Sequence, residues 1–218
     1  MKLLVKRLPV PFTVDADWSN PVWREIPAVL IGNYMGEKPG HLPKTEAKIA
    51  YEETAICLMF RVEDRYVRAV AEEHQDTVCG DSCVEFFFTP GPDVSKGYFN
   101  LEMNCGGTIL FHFNSTPRAG IEISEDDCER IVKTHSLPRI VDPEIKESLT
   151  WSVACSIPLD LLSKYCPVDR PKRGGLWRAN FYKCGDHTSH PHWLTWSPVD
   201  YPKPNFHLPE SFGLLEFE

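Results

Sequence analysis

The sequence predicts an all-β protein: a single-domain antiparallel β-sandwich with one short helix, with residues 1–27 as an N-terminal arm. Three observations carry this. Residues 81–113, DSCVEFFFTPGPDVSKGYFNLEMNCGGTILFHF, alternate in three successive runs with a period of two, as strands with one buried face do. About ten runs of this kind recur along the chain, and its 19 prolines suit short strands joined by punctuated loops. One stretch alone, PLDLLSKY from Pro158, reads as a helix, with Pro in its first turn.

The elements follow in order. Residues 1–27 contain Trp18 and Trp23 among several prolines, which suits an arm laid over a core with both indoles as anchors. Residues 28–34 form a short apolar strand, and 46–51 with 54–63 a hairpin whose Ile56, Leu58, Phe60 and Val62 face one way. Residues 65–70 make a short edge strand and 71–80 a polar loop. In the three organising strands Val84, Phe86, Phe88, Phe99, Leu101, Met103, Ile109, Phe111 and Phe113 form the buried face. The opposite face carries Glu85, Asn100, Glu102, Asn104 and His112, a polar surface open to a ligand. Residues 115–127 read as an exposed acidic loop, 131–136 and 149–157 as strands, and Gly174-Gly175 as a break. The strand 176–183 turns Trp177, Ala179 and Phe181 one way and Arg178, Asn180 and Tyr182 the other. A long loop, 184–211, holds Trp193, Trp196, Tyr201 and Phe206, and 212–217 closes the sheet.

Composition narrows the function. With 42% hydrophobic and 25% charged residues the chain is ordinary for a globular domain. A net charge of -8 does not invite a phosphate backbone, so no nucleic-acid partner is expected. No apolar run approaches the roughly 20 residues of a spanning helix, so no membrane insertion is expected. The N-terminus lacks the apolar core of a signal peptide. The expected location is cytoplasmic, or secreted if a leader has been removed. Eight cysteines fit an interior location weakly, since Cys57, Cys83 and Cys155 lie in strand-like runs and behave there as small apolar residues.

No G-x-S-x-G, P-loop or H-E-x-x-H pattern occurs. Cys184-x-x-His187-x-x-His190-x-His192 offers zinc's preferred ligand types, but its spacing is not that of a finger. It reads as a surface loop, and no metal ligand is assigned. Glu85 and Glu102, on adjacent strands, are the pair a glycosidase would need. Glu85 is either solvated or paired at a site. Asp81 caps a strand or orients a neighbour, and Asn104 is either a turn residue or a ligand. Arg178 could pair with Glu85 or Glu102 as a structural ion pair or as a fork toward a ligand. Trp193 and Trp196 either plug the end of the sandwich or present rings to a ligand.

The order VEDRYV, DSCVEFFF, GYFNLEMN, SIPLDLL, WRANFYKCG and FHLPESFGLLEF resembles the family 9 carbohydrate-binding modules from roughly Lys44 to the C-terminus. The resemblance implies a sandwich that binds sugar without breaking bonds. Two aromatic rings clamp a terminal sugar, and polar side chains read its hydroxyls. Glu85 matches the acidic reader and Asn104 the polar end of the next strand. The second ring falls to Phe206, with Trp193 and Trp196 nearby. The first would lie six residues before Glu85, where this chain has Cys79. Some family members hold structural calcium, but no calcium-ligand set maps onto this chain. The expected ligand is a mono- or oligosaccharide, at a chain end, read by Glu85, Asn104, Trp193, Trp196, Phe206, Arg178 and Asp81. Two alternatives stand beside it: a glycoside hydrolase, and a sandwich whose sugar site has decayed and which binds a protein partner.

Overall fold

Alternation with a period of two places Val84, Phe86, Phe88, Phe99, Leu101, Met103, Ile109 and Phe111 on one side of their strands, and all are buried in one core. The computed structural model describes residues 1–8 and 12–218. Among these, the strands in chain order are β1 (Lys2–Arg7), β2 (Val29–Ile31), β3 (Asn33–Tyr34), β4 (Lys44–Tyr51), β5 (Ala55–Asp64), β6 (Val67–Ala69), β7 (Cys83–Thr89) and β8 (Tyr98–Asn104). They continue with β9 (Ile109–Asn114), β10 (Gly120–Glu122), β11 (Val132–His135), β12 (Val141–Ile145), β13 (Leu149–Pro158), β14 (Leu176–Cys184), β15 (Trp193–Thr195) and β16 (Gly213–Phe217).

One layer runs β10-β9-β8-β7-β14-β16-β1 and the other β1-β4-β5-β13-β11, with β6 and β12 paired apart from both. Rings fill the space between the layers: Phe86 and Phe181, neighbours in one layer, stack at 5.1 Å, and Phe60 from the other layer meets Phe181 edge-on at 6.1 Å. Trp151 and Trp177 belong to this core, as their alternation implies. The β-sandwich is the fold the sequence predicts, with two departures.

The first departure is β1. Its first half pairs with β16 and its second half with β4, both in parallel. The chain's first residues therefore join the two layers along one edge. The rest of residues 1–27 behaves as an arm: Leu8, Val14, Trp23 and Ile26 cover Ala50, Cys57, Met59 and Ala154 on the outside of the second layer. The Trp18 ring lies beneath the Lys48 ammonium at 4.1 Å. Pro9, Val10 and Pro11 of the arm lie outside the described residues.

The second departure is helical. The expected helix from Pro158 is a single turn, α3 (Leu159–Leu162), and two more short helices occur, α1 (Pro21–Arg24) and α2 (Glu125–Glu129). Both carry ordinary start signals. The Asn20 side chain accepts from the Val22 N–H at 2.9 Å ahead of Pro21. Ser124 caps α2, whose first turn is Glu125-Asp126-Asp127. With β10 and α2 present, the 115–127 segment is partly structured rather than a plain acidic loop.

Candidate functional site

The polar face of β7, β8 and β14 is not open. Residues that follow β14, together with Met35 after β3 and the turn before β7, fold back over it. Met35, Val78, Phe206 and Phe212 pack there against Phe87, Tyr98 and Tyr182. Glu85, Asn100, Glu102 and Asn104 are consequently buried, Glu85 to 2% exposure. The buried amides satisfy one another: Asn114 donates to Asn100 Oδ1 at 2.6 Å, and Asn100 donates to Glu102 Oε1 at 3.1 Å. The open wet surface expected from the alternation is replaced by a covered network.

The cover leaves one hollow of about 150 Å³, the liquid volume of roughly five waters. Its floor is Glu85 on β7 and Glu102 on β8, which lie opposite each other across the strand pair. Phe87, Phe206 and Trp193 supply its apolar walls, and Cys79, Cys184, Asp186, Arg118 and His207 complete it. Phe206 stacks on Tyr182 at 4.1 Å, which fixes that wall. The half-buried Trp193 is pinned by its Nε1–H, which donates to Asp186 Oδ1 at 2.8 Å. Tyr98 OH meets His207 Nδ1 at 2.7 Å.

Of the residues the sequence singles out, Glu85, Trp193 and Phe206 line this hollow, and so does Cys79. The other four lie elsewhere. Trp196 is buried in the core between the layers, 2% exposed, and presents no ring to a ligand. Asn104 is a turn residue: its Oδ1 accepts from the Gly106 and Thr108 N–H groups, and its Nδ2 donates to Asp81. The tight approach of this turn to Arg139 O leaves no room for a Cβ at Gly106, and Gly107 has φ +86°. Asp81, 1% exposed, accepts from Val70 N and Ala71 N as well as from Asn104. It anchors the chain ahead of β7. Arg178 stands opposite Thr89 on β14, while Tyr182 is the residue opposite Glu85. Four residues of strand, about 13 Å, separate it from the hollow, so it does not serve as the fork to Glu85. The cation that reaches the hollow is Arg118, whose guanidinium donates to Asn205 Oδ1 at 3.0 Å.

Burial, and then the adjacent Glu102 charge, pushes the Glu85 carboxyl well above the usual carboxylate range. Burial lifts Glu102 to about 7, against the hydrogen bond from Asn100; Asp186 adds to the rise and Arg118 opposes it. The floor therefore holds protons at neutral pH that exposed carboxylates would have lost. Glu102 favours the fold below the unfolded carboxyl value near 4.3, and that contribution disappears as pH rises through about 7. The difference is on the order of 3 kcal/mol. Glu102→Gln should match the parent protein in thermal melts at pH 4.5 and exceed it at pH 8 in chelator-containing buffer. Equal melting temperatures at both pH values would contradict the assignment.

A larger open groove, about 1100 Å³, runs beside β1 and β16. Its rim carries Arg7, Arg170, Lys172 and Arg173, while its aromatic residues, Tyr51 and Phe217, are buried in the core. It offers no free ring face. The hollow combines ring walls with a polar floor, the pairing a sugar's C–H faces and hydroxyl rim require.

The family model for carbohydrate-binding family 9 matches residues 22–217. The chain belongs to carbohydrate-binding family 9. The match starts earlier than Lys44, taking in all of α1 but Pro21 and the whole of β2. The crystal structure of a candidate carbohydrate-binding protein from Bacteroides uniformis superposes with a TM-score of 0.90 at 28% identity, covering 100% of this chain and 99% of that one. A family 9 module from Caldicellulosiruptor kristjanssonii, solved with cellotriose, gives a TM-score of 0.67 at 12% identity, over 100% of this chain and 94% of that chain. A family 9 module from Caldicellulosiruptor kristjanssonii solved with glucose gives 0.65 at 12% identity, over 100% of this chain and 96% of that one. No curated protein matches the chain in sequence. As a family 9 member the chain is a carbohydrate-binding β-sandwich. No helix among the described residues is long and apolar enough to cross a membrane.

Structural calcium, which the family resemblance raises, is not matched by the one three-residue ligand cluster found among the described residues. Among the described residues, the His, Cys, Asp and Glu ligand atoms that converge are those of Cys83, Glu85 and Cys184. Two sulfurs do not suit a cation that takes six to eight oxygens.

Proposed function

We propose that this family 9 module binds one saccharide ring in the hollow between Trp193 and Phe206, either a free monosaccharide or the end of a chain. The observation that carries the reading is that Glu85, Trp193 and Phe206 converge on one small covered space. A space of about 150 Å³ suits a single ring and not a run of several. Trp193 compensates for Cys79: the ring absent from the turn before β7 is supplied across the hollow by β15. Glu85, Glu102 and Asp186 read hydroxyls, protonated carboxyls donating and ionised ones accepting.

The hydrolase reading is weaker on geometry. A glycosidase places its two carboxyls on either side of the scissile bond. Glu85 and Glu102 sit side by side on one floor, on adjacent strands.

Calorimetry against glucose, xylose and cello-oligosaccharides tests the proposal. Binding in the micromolar to millimolar range is expected, because stacking and hydroxyl contacts exchange against water. Trp193→Ala should weaken binding by about tenfold or more, corresponding to the stacking of one ring, with little change in melting temperature. Unchanged affinity in that variant would remove the sugar from this hollow. A flat response to every saccharide together with a tight protein partner would select the decayed-module alternative.

A further inference from the structure

We propose that Cys83, Glu85 and Cys184 form a binding site for one soft divalent metal ion, zinc being the ion that best suits two sulfurs and a carboxylate. The assignment rests on geometry. Cys83 and Cys184 stand directly opposite each other on β7 and β14. Glu85 is two residues along β7, so alternation returns its side chain to the same face of the sheet. One ligand atom from each of the three lies within 4.8 Å of the others, and Cys184 Sγ is 3.0 Å from Glu85 Oε1. A tetrahedral zinc with Zn–S bonds of about 2.3 Å has ligand edges of roughly 3.8 Å, a spacing these atoms reach with small rotamer adjustments.

The surroundings point the same way. All three residues are buried, and Arg118, the cation that reaches the hollow, gives its hydrogen bond to Asn205 rather than to Glu85 or Glu102. Lys183 does not serve: it projects from the other face of β14, where its ammonium donates to Cys184 O and meets His192 Nε2, each at 2.8 Å. Glu102 Oε2, on the strand next to Glu85, is buried without a hydrogen-bond partner, a cost that a native structure incurs for a reason. Glu85 and Cys184 line the hollow, as do Glu102 and Cys79. The ion's fourth position accordingly faces the hollow, open to water or to one of these two groups. One oxygen of Glu85 serves the ion and the other remains for the hollow, so the site stands whether or not a sugar binds there.

No electron moves in the binding step. The cation replaces the two thiol protons, including the one Cys184 donates to Glu85, and the proton held by the Glu85 carboxyl; all three are released to solvent as two metal–sulfur bonds and one metal–oxygen bond form.

Cobalt titration of the full chain under a phosphine reductant tests the proposal. One equivalent should produce the visible bands of tetrahedral cobalt and the near-ultraviolet bands of sulfur-to-cobalt charge transfer, and one equivalent of zinc should abolish both. Calorimetry in buffers of different ionisation heats should return three protons released per zinc, two from the thiols and one from the Glu85 carboxyl. Cys184→Ser should weaken zinc binding by about a hundredfold or more, exceeding the cost of losing an outer partner, whereas Cys128→Ser, in the core away from the hollow, should leave it unchanged. The unmodified chain decides the matter even where a variant does not fold. Absence of charge-transfer bands overturns the site, and so does their persistence in Cys184→Ser.

Discussion

Replacing Asp64 with alanine is expected to cost about 3–5 kcal/mol of stability, the effect of leaving a buried charge without its partner. Asp64 is 4% exposed at the end of β5. Its Oδ2 accepts from Trp151 Nε1 at 3.1 Å and lies 3.7 Å from Lys183 Nζ, while Oδ1 accepts from the Arg65 N–H at 2.8 Å and meets His41 Nε2 at 2.7 Å. Lys183 is fully buried, and its other side-chain partners are neutral: Cys184 O and His192. Burial followed by the Lys183 charge holds the His192 imidazole down at about 3, so it accepts from Lys183 and donates from Nδ1 to His190 O. Without Asp64 the ammonium has no counter-charge and the Trp151 indole N–H no acceptor. For a domain of this size the loss corresponds to a melting temperature lower by on the order of 10 °C. Asp64→Ala combined with Lys183→Met should recover part of it, because the pair is then removed together. A single variant that melts with the parent protein would show that the pair carries no such weight. The same carboxylate gives the acid limb a sign. Burial raises it, but Lys183 and the hydrogen bonds from His41 and Trp151 outweigh burial and hold it at about 2. Its contribution is present above the unfolded value near 3.9 and is lost as pH falls through about 2.

Much of the fold is legible in the sequence because a period of two marks which side chains share a face. Val84, Phe86 and Phe88 are buried together for that reason, and so are Trp177, Ala179 and Phe181. The same pattern does not say what covers the other face. Glu85, Asn100 and Glu102 alternate with apolar residues just as solvated side chains would. Their burial is decided by a cover from residues about a hundred positions away, such as Phe206 and Phe212. β1 is hidden for a related reason: KLLVKR does not alternate, and its partners are at the far end of the chain in β16 and in β4. The capping signals of α1 and α2 were present, in Asn20-Pro21 and in Ser124 followed by three acids. Each helix is too short for a hydrophobic stripe to announce it. In the hollow, Glu85 and Phe206 carry a sequence signal through their strand and their place before the last strand. Arg118, Asp186 and His207 carry none, since loops bring them there from separate parts of the chain.

The two loop tryptophans show how one unread strand exchanges a core residue for a site residue, and they yield the second large effect. Trp193 and Trp196 look equivalent in a segment read as loop. Trp193–Thr195 is in fact a strand paired with β14, with Trp193 opposite Cys184 and Leu194 opposite Lys183. Alternation then sends Trp193 to the outer face with Cys184, and Leu194 and Trp196 to the inner one. Leu194 and Trp196 accordingly join the core, whereas Trp193 remains half-buried at the hollow. Trp196 meets Phe181 edge-on at 5.5 Å, and a Cβ at Gly213 would fall 2.5 Å from its ring. That contact leaves little slack for the site to collapse around a smaller residue. Trp196→Ala should therefore cost about 3–5 kcal/mol through the cavity it leaves, read as a lower denaturant midpoint at unchanged slope. Trp193→Ala should cost under about 1 kcal/mol, since its exposed side loses few contacts, while weakening saccharide binding by about tenfold or more. The opposite outcome, a stable Trp196→Ala that no longer binds sugar beside a destabilised Trp193→Ala that does, would place the binding surface on the other side of β15 and displace the hollow from the function. Because one substitution reads packing and the other reads ligand, the pair separates a sugar site that has been lost from a fold that has been weakened.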